Sequence, residues 1–71
     1  MKISYDSKYD VVYIKLIDGV KEVSSKHLNE DITIDFDEKR RMVGIEILSA
    51  SRYLELGSLL PITIEKAKTA G

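Results

Sequence analysis

Apolar and polar residues alternate along two neighbouring segments in the middle of the chain, Asp31–Asp37 and Met42–Leu48. Alternation with a period of two is typical of a β-strand that buries one face. A turn at Glu38–Arg41 places the apolar residues of both segments opposite one another. The predicted pairs are Phe36 with Val43, Ile34 with Ile45 and Ile32 with Ile47. Because a shift of one residue would turn every apolar side chain to the other face, the pattern predicts a single register for an antiparallel hairpin.

Three further strands are predicted closer to the start of the chain. Lys2–Tyr5 is short and favours a strand, and Val11–Ile17 is rich in β-branched and aromatic residues. Asp18 and Gly19 follow, a preferred pair for a two-residue hairpin turn. The polar segment Val20–Lys26 is therefore predicted to pair with Val11–Ile17 as the third strand.

The last third of the chain is predicted to be helical first and extended afterwards. A short helix at about residues 50–56 ends at Gly57, a residue common at helix C-termini. An extended arm over residues 58–65 and a frayed tail over residues 66–71 follow. The predicted fold is a single α+β domain over residues 1–71. It consists of a small antiparallel β-meander of about five strands over residues 2–48, one short C-terminal helix and an extended C-terminal arm.

The composition narrows the classes of function. The chain has 71 residues, no cysteine, and 11 basic against 12 acidic residues, which gives a net charge of −1. A chain this short buries only about 60% of its unfolded surface, and no disulfide adds stability. The balanced charge, with one basic run, Lys39–Arg41, at a turn, argues against direct binding of nucleic acid. No apolar run approaches the roughly 20 residues of a membrane helix, so a cytoplasmic protein is expected.

The apolar face of the predicted sheet is larger than the predicted helix can cover. Four strands present on the order of 400 Å² of sheet, whereas a helix of about eight residues covers about 120 Å². Exposed apolar surface of this extent usually marks an interaction site. We therefore expect a homo-oligomer, most simply a dimer, or a complex with another small protein. A self-sufficient monomer is the alternative.

Contacts with the partner are expected at the large side chains outside the main apolar pairs. These are Tyr13, Met42, Leu48, Tyr53, Leu56, Leu59, Leu60 and Ile62. The unpaired edges of a meander offer a second mode of association, in which a strand of the partner extends the sheet.

No residue pattern predicts catalysis or a bound cofactor, and we expect a non-enzymatic domain. His27 is the only histidine and lies in a polar segment, where a surface role is expected. Asp35, Asp37 and Glu46 are oxygen ligands of the kind that hard cations prefer, so a ligand- or metal-binding module is an alternative function. Carboxylates on one strand do not converge as a calcium loop does, which favours a solvated face. Gly44 stands inside a strand opposite Asp35, where glycine indicates a bulge or the close approach of another chain.

Two stretches of the chain resemble a known family. KISYDSKYDVVYIKLIDG is similar to the pattern YDxxxDxxYIxL, and ITIDFDEKRRMVGIEILSAS to DxDxxxxxVGIEIL-A-S. Over roughly residues 2–56 the chain resembles the small prokaryotic "domain of unknown function 2283" family. The resemblance implies a compact β-meander followed by a helix, with no assigned catalysis. Members of such families are often encoded beside other small proteins, some of them toxin-like. An antitoxin-like partner of a small neighbouring protein is therefore a further alternative.

The turn between the two central strands departs from the pattern of that family. Arg40 occupies a position where the family usually has glycine, DEKRR in place of DEDGR. Glycine there suits a left-handed turn residue. We therefore expect one of two outcomes: Arg40 adopts a left-handed conformation at a cost of about 1 kcal/mol, or the turn differs in this protein.

Overall fold

The protein forms one six-stranded sheet. The structure is a computed structural model that describes residues 1–59 and 64–66. The strands are β1 (Lys2–Asp6), β2 (Val11–Lys15), β3 (Ser24–His27), β4 (Ile32–Phe36), β5 (Met42–Leu48) and β6 (Ile64–Lys66). Their spatial order is β3-β4-β5-β2-β1-β6. The first five pair antiparallel, and β6 pairs parallel with β1.

The hairpin of β4 and β5 has the register that the alternating pattern predicts, except at its end. Ile32 lies opposite Ile47 and Ile34 opposite Ile45. Beyond Asp35, however, Phe36 pairs with Met42 rather than with Val43, because a bulge interrupts the ladder there. The carbonyl of Val43 instead accepts hydrogen bonds from the backbone N–H groups of Leu16 (2.8 Å) and Ile17 (3.3 Å). The bulge thereby connects β5 to the chain that leaves β2.

The predicted hairpin at Asp18–Gly19 is wrong. β2 pairs with β1 on one side and β5 on the other, and residues 16–23 cross the end of the sheet to reach β3. The order β3-β4-β5-β2 is a Greek key in which the long connection comes first. The physical reason is the polarity of the strands. Every residue of β3 is exposed, which suits an edge, whereas β2 contains the fully buried Val12 and lies in the middle.

The core lies on one face of the sheet. The buried apolar side chains of the described part of the chain are Ile3, Val12, Val43, Ile47 and Ala50. Half-buried side chains pack around Ile3, Val12, Ile47 and Ala50. These half-buried residues are Tyr5, Ile14, Ile32, Ile45, Leu54 and Leu56. Ala50, Leu54 and Leu56 follow β5, so this short segment provides the cover over the sheet. We call the core-bearing side the inner face and the other side the outer face.

The C-terminal helix is not confirmed, so the α part of the α+β class is not supported. Within residues 1–59 and 64–66 the structure has two short 3-10 helices, Ala50–Arg52 and Leu56–Leu59, and no α-helix. Neither is long and apolar enough to cross a membrane. Ser49 before the first is left-handed, with φ of 52°. A segment of this length does not sustain an α-helix by propensity alone, and its tertiary contacts hold it in a tighter form.

The predicted arm and tail are only partly within the described residues. Residues 60–63 and 67–71 lie outside them. Ile64 and Glu65, placed in the arm, belong to β6, and so does Lys66, which was placed in the frayed tail. Because β6 pairs with β1 from Ile3 to Tyr5, this part of the chain is the sixth strand of the sheet.

Candidate interaction surface

The outer face has a hydrogen-bonded group at its centre. The hydroxyl of Tyr13 on β2 donates to Oδ2 of Asp35 on β4 at 3.1 Å, and Ser25 Oγ on β3 donates to Oδ1 of the same carboxylate at 2.6 Å. Gly44 lies on β5, the strand between β2 and β4, and is opposite Asp35. A Cβ atom at Gly44 would overlap the hydroxyl and ring of Tyr13. The bare backbone at Gly44 therefore makes room for a phenol that links β2 to β4.

This geometry explains the glycine that the sequence places inside a strand. The group that comes close to Gly44 is Tyr13 of the same chain, and the bulge is next to it, between Asp35 and Phe36. Partial burial raises the pKa of the Tyr13 hydroxyl, and the neighbouring Asp35 carboxylate raises it further. Tyr13 therefore remains a neutral donor and stabilises the sheet. Its predicted role as a contact residue stays a prediction.

Asp10 fastens the segment after β5 to the turn between β1 and β2. Its carboxylate accepts hydrogen bonds from the Tyr5 hydroxyl (3.0 Å) and from Ser51 Oγ (2.7 Å) and N–H (3.1 Å). The Asp10 carbonyl accepts from the Ala50 N–H at 2.8 Å. The hydrogen bond from the Ser51 hydroxyl lowers the pKa of Asp10 and outweighs the opposite effect of burial. Sequence reasoning missed this role, because the bonds to Ser51 join residues 41 positions apart.

Asp31 makes a similar connection at the start of β4. The Tyr53 hydroxyl donates to Asp31 Oδ2 at 2.6 Å, and Nη1 of Arg52 lies 3.7 Å from the same oxygen. The hydrogen bond to Asp31 raises the pKa of Tyr53, with a further contribution from burial. Three tyrosines, Tyr5, Tyr13 and Tyr53, thus each donate to one aspartate. The bonds of Tyr13 and Tyr53 each join residues 22 positions apart in the chain.

The residues predicted as contacts differ in how exposed they are. Met42, Leu48 and Tyr53 are exposed, with 47%, 38% and 41% of their surfaces accessible. Leu56 instead packs against the core. The side chain of Leu59 and the residues Leu60 and Ile62 lie outside the described part of the structure.

Two exposed apolar residues that the prediction left out stand on either side of β3. Val23 is 50% and Leu28 is 68% accessible. Between them lie the four exposed residues of Ser24–His27, the strand at one edge of the sheet. The sequence signal is a polar run with one apolar residue at each end. This signal indicates an exposed edge only when the position of β3 at the end of the sheet is known.

The carboxylates considered as metal ligands do not converge. Asp35 is occupied by Tyr13 and Ser25, as described above. The Asp37 carboxylate accepts from the backbone N–H groups of Lys39 (2.8 Å) and Arg41 (2.9 Å) and from Arg41 Nε (2.8 Å). The bond from the Arg41 backbone is the main cause that lowers the pKa of Asp37. Among the residues that the structure describes, no three His, Cys, Asp or Glu side chains form a group that could hold a metal ion. Asp35, Asp37 and Glu46 therefore have no support as a metal site.

The fold and these contacts define a small, mainly antiparallel sheet domain whose polar side chains are used to join its own strands and loops. The chain matches the family described as "Protein of unknown function (DUF2283)" over residues 2–51, and it belongs to that family. It is 41% identical over 56 residues to the uncharacterized protein MJ0789 of Methanocaldococcus jannaschii. The match covers 79% of this chain and 47% of that protein, so the chain spans about half the length of this relative. No solved structure matches the chain.

Proposed function

We propose that this chain is a non-catalytic protein-interaction domain that associates with a second copy of itself through its sheet, most simply as a dimer. The observation that carries the proposal is the thin cover that residues 1–59 and 64–66 give the inner face. Stable domains bury a sheet against a second layer. In the part of the chain that the structure describes, the second layer is the short segment that contributes Ala50, Leu54 and Leu56.

The inner face extends beyond that cover. Ile34 and Phe36 on β4 are half-buried, and neither belongs to the group that packs around the core. The isoleucines that do belong to it, such as Ile14 and Ile45, are themselves only half-buried. Partly exposed apolar side chains that adjoin in a sheet favour association with another protein surface.

The polar groups support an interaction role over a catalytic one. Asp10, Asp31, Asp35 and Asp37 are each occupied by hydrogen bonds within the chain. A general acid or base must be within reach of a substrate and its proton. Carboxylates that hold strands and turns together stabilise the fold. The exposed surface of the sheet is then expected to function by contact with another protein.

The size of the sheet sets the expected affinity. Strands about 4.8 Å apart and about five residues long make a six-stranded face of about 500 Å². Stable complexes bury about 800 Å² on each partner. A dimer formed through a surface below that size should dissociate on dilution.

The test is the molar mass in solution, measured by light scattering after size-exclusion chromatography. We expect a dimer that dissociates between about 1 mM and about 1 µM, the range that fits an interface of this size. A monomer at every concentration would contradict self-association. The alternatives of an antitoxin-like role with a different small protein and of a ligand-binding module would then become the leading hypotheses.

A further inference from the structure

Among the residues that the structure describes, no strand pairs with the outer side of the edge strand β3. It is last in the order of the sheet, and β4 is the strand that pairs with it. The backbone N–H of Leu28 donates to the carbonyl of Ile32 at 2.7 Å. Leu28 and Ile32 are therefore a hydrogen-bonded pair, and this shows which pairs of the β3–β4 ladder are hydrogen-bonded. Because hydrogen-bonded and non-bonded pairs alternate in an antiparallel ladder, Ser24 and Lys26 bond to β4. The backbone groups of Ser25 and His27 then point away from the sheet and are available to another strand.

The side chains around this edge are exposed. Val23 and Leu28 are half or more accessible, and Glu22 and Lys26 are also exposed. Within residues 1–59 and 64–66, neither Glu22 nor Lys26 makes an ion pair. A lysine on an edge strand normally discourages pairing with another chain, unless a carboxylate of the incoming strand lies opposite it.

We propose that two copies of the chain pair antiparallel along their β3 edges, about a two-fold axis at Ser24, so that Glu22 of each copy lies opposite Lys26 of the other. Residues 21–23, which have no regular structure, extend β3 in the pair. The inference rests on the proposed self-association and places the contact at an edge of the sheet rather than over the inner face.

Symmetry limits the possible registers. A two-fold axis perpendicular to a continuous sheet pairs residues of the same face. One residue of the strand must therefore lie opposite its own copy, with the axis between them. An axis at Lys26 sets the two lysines directly opposite one another. An axis at Ser25 places Lys26 opposite Ser24 and leaves the two lysines as diagonal neighbours. Among axes at the four residues of β3, only the axis at Ser24 places a carboxylate, Glu22, opposite each Lys26. Opposite charges stabilise a cross-strand pair, and like charges destabilise it.

The backbone is compatible with this register, as it is with any register that pairs residues of the same face. In an antiparallel pair the residues that exchange hydrogen bonds must both point their backbone groups towards the partner. With the axis at Ser24, Ser25 of one copy meets Val23 of the other, and His27 meets Lys21. Ser25 and His27 are the β3 residues with outward backbone groups. A second copy of the segment therefore matches this edge in charge, and its outward backbone groups can pair in this register.

Charge exchange tests the pairing. We expect Glu22→Lys and Lys26→Glu each to raise the dimer dissociation constant at least tenfold, because each replaces two opposite-charge pairs by two like-charge pairs. An equimolar mixture of the two variants should recover a dimer, since both pairs are attractive in the mixed species. The double variant E22K/K26E should also approach the wild-type value. Lys39→Glu, the same charge change in an exposed turn, is the matched control and should leave the mass unchanged.

Disulfide formation tests the register. The chain has no cysteine, so Ser24→Cys introduces a single thiol on the proposed axis. Residues facing each other in a non-bonded pair have Cα atoms about 4.5 Å apart, which is within the range of a disulfide. Ser24→Cys should therefore form a covalent dimer under mild oxidation much faster than Ser25→Cys.

The outcomes separate the two proposals. A wild-type monomer at all concentrations overturns both. A wild-type dimer that resists both charge reversals overturns the edge pairing and leaves self-association in place. Weakening by the single variants without recovery in their mixture, or faster cross-linking at Ser25, overturns the register. Circular dichroism of each variant confirms that the exposed substitutions leave the fold intact.

Discussion

Tyr13 and Asp35 are joined by a hydrogen bond of 3.1 Å although a whole strand, β5, lies between the strands that carry them. The contact exists because Gly44 of β5 has no side chain beneath the phenol. An aromatic side chain that covers a glycine in a neighbouring strand compensates for the packing that the glycine lacks. The glycine on β5 thus allows a hydrogen bond that links β2 to β4 across the outer face.

Gly44→Ala should destabilise the fold by about 1–2 kcal/mol. The new methyl group would displace the Tyr13 ring and break its hydrogen bond with Asp35, and a lost hydrogen bond costs about 1 kcal/mol. The midpoint of urea denaturation, compared with that of the wild type at equal slope, measures the change.

The same substitution should have the opposite sign once the tyrosine is removed. In a Tyr13→Thr background, the alanine meets no ring, and glycine in a strand is less favourable than alanine by about 0.5–1 kcal/mol. Gly44→Ala should then be neutral or stabilising, which gives a large interaction energy in a double-mutant cycle. Additive effects of the two substitutions would show that Tyr13 and Gly44 are not coupled.

Arg40→Gly should raise the free energy of unfolding by a few tenths to about 1 kcal/mol. Arg40 has φ of 66°, so of the two alternatives left by the departure from the family pattern, the left-handed conformation is the one observed. Glycine adopts this conformation without the steric cost that a side chain carries. The N–H of residue 40, which donates to the Asp37 carbonyl at 3.0 Å, is retained. Lys39→Gly is the control, because Lys39 is exposed in the same turn and does not have a positive φ. It should destabilise, and an equal gain at both positions would refute the explanation from strain.

The stability of the fold should decrease as the pH falls below about 4. The pKa values of Asp10 and Asp37 are lowered by the hydrogen bonds they accept, whereas in the unfolded chain they return to about 3.9. The unfolded state therefore binds more protons in this range, and the stabilisation present above pH 4 is lost as the pH passes through the folded pKa values. Urea denaturation at several pH values measures the slope. Asp10→Asn and Asp37→Asn should each flatten it, and Glu38→Gln controls for the loss of one exposed negative charge.

Ser51→Ala should loosen the cover over the inner face without unfolding the sheet. The Ser51 hydroxyl is the side-chain donor that joins the segment after β5 to Asp10. Segments with few tertiary anchors open locally at a lower free energy than the whole domain. Amide exchange over residues 50–56 should become faster in this variant, while β2 and β5 stay protected. Ser58→Ala, at an exposed serine near the same segment, should leave the exchange pattern unchanged. Equal acceleration throughout the sheet would point to global destabilisation.

The sequence by itself determined the features that depend on residues close together in the chain. The register of Ile32 with Ile47 and of Ile34 with Ile45 follows from alternation across a short turn, because a shifted register would expose the apolar face. The left-handed conformation of Arg40 and the special status of Gly44 could also be predicted, since each is a local conflict between residue type and position.

Only the tertiary structure decided which strands became neighbours and what held the chain end. Asp18-Gly19 is a good hairpin turn, yet β2 pairs with β5, because burying the apolar residues of β2 between two strands outweighs the local preference of two residues. The expected helix gives way to 3-10 turns because Asp10 and Asp31 bind Ser51 and Tyr53 from far along the chain. Local patterns specify each strand, but the competition between partners is settled by the total apolar surface buried, which depends on all the strands at once.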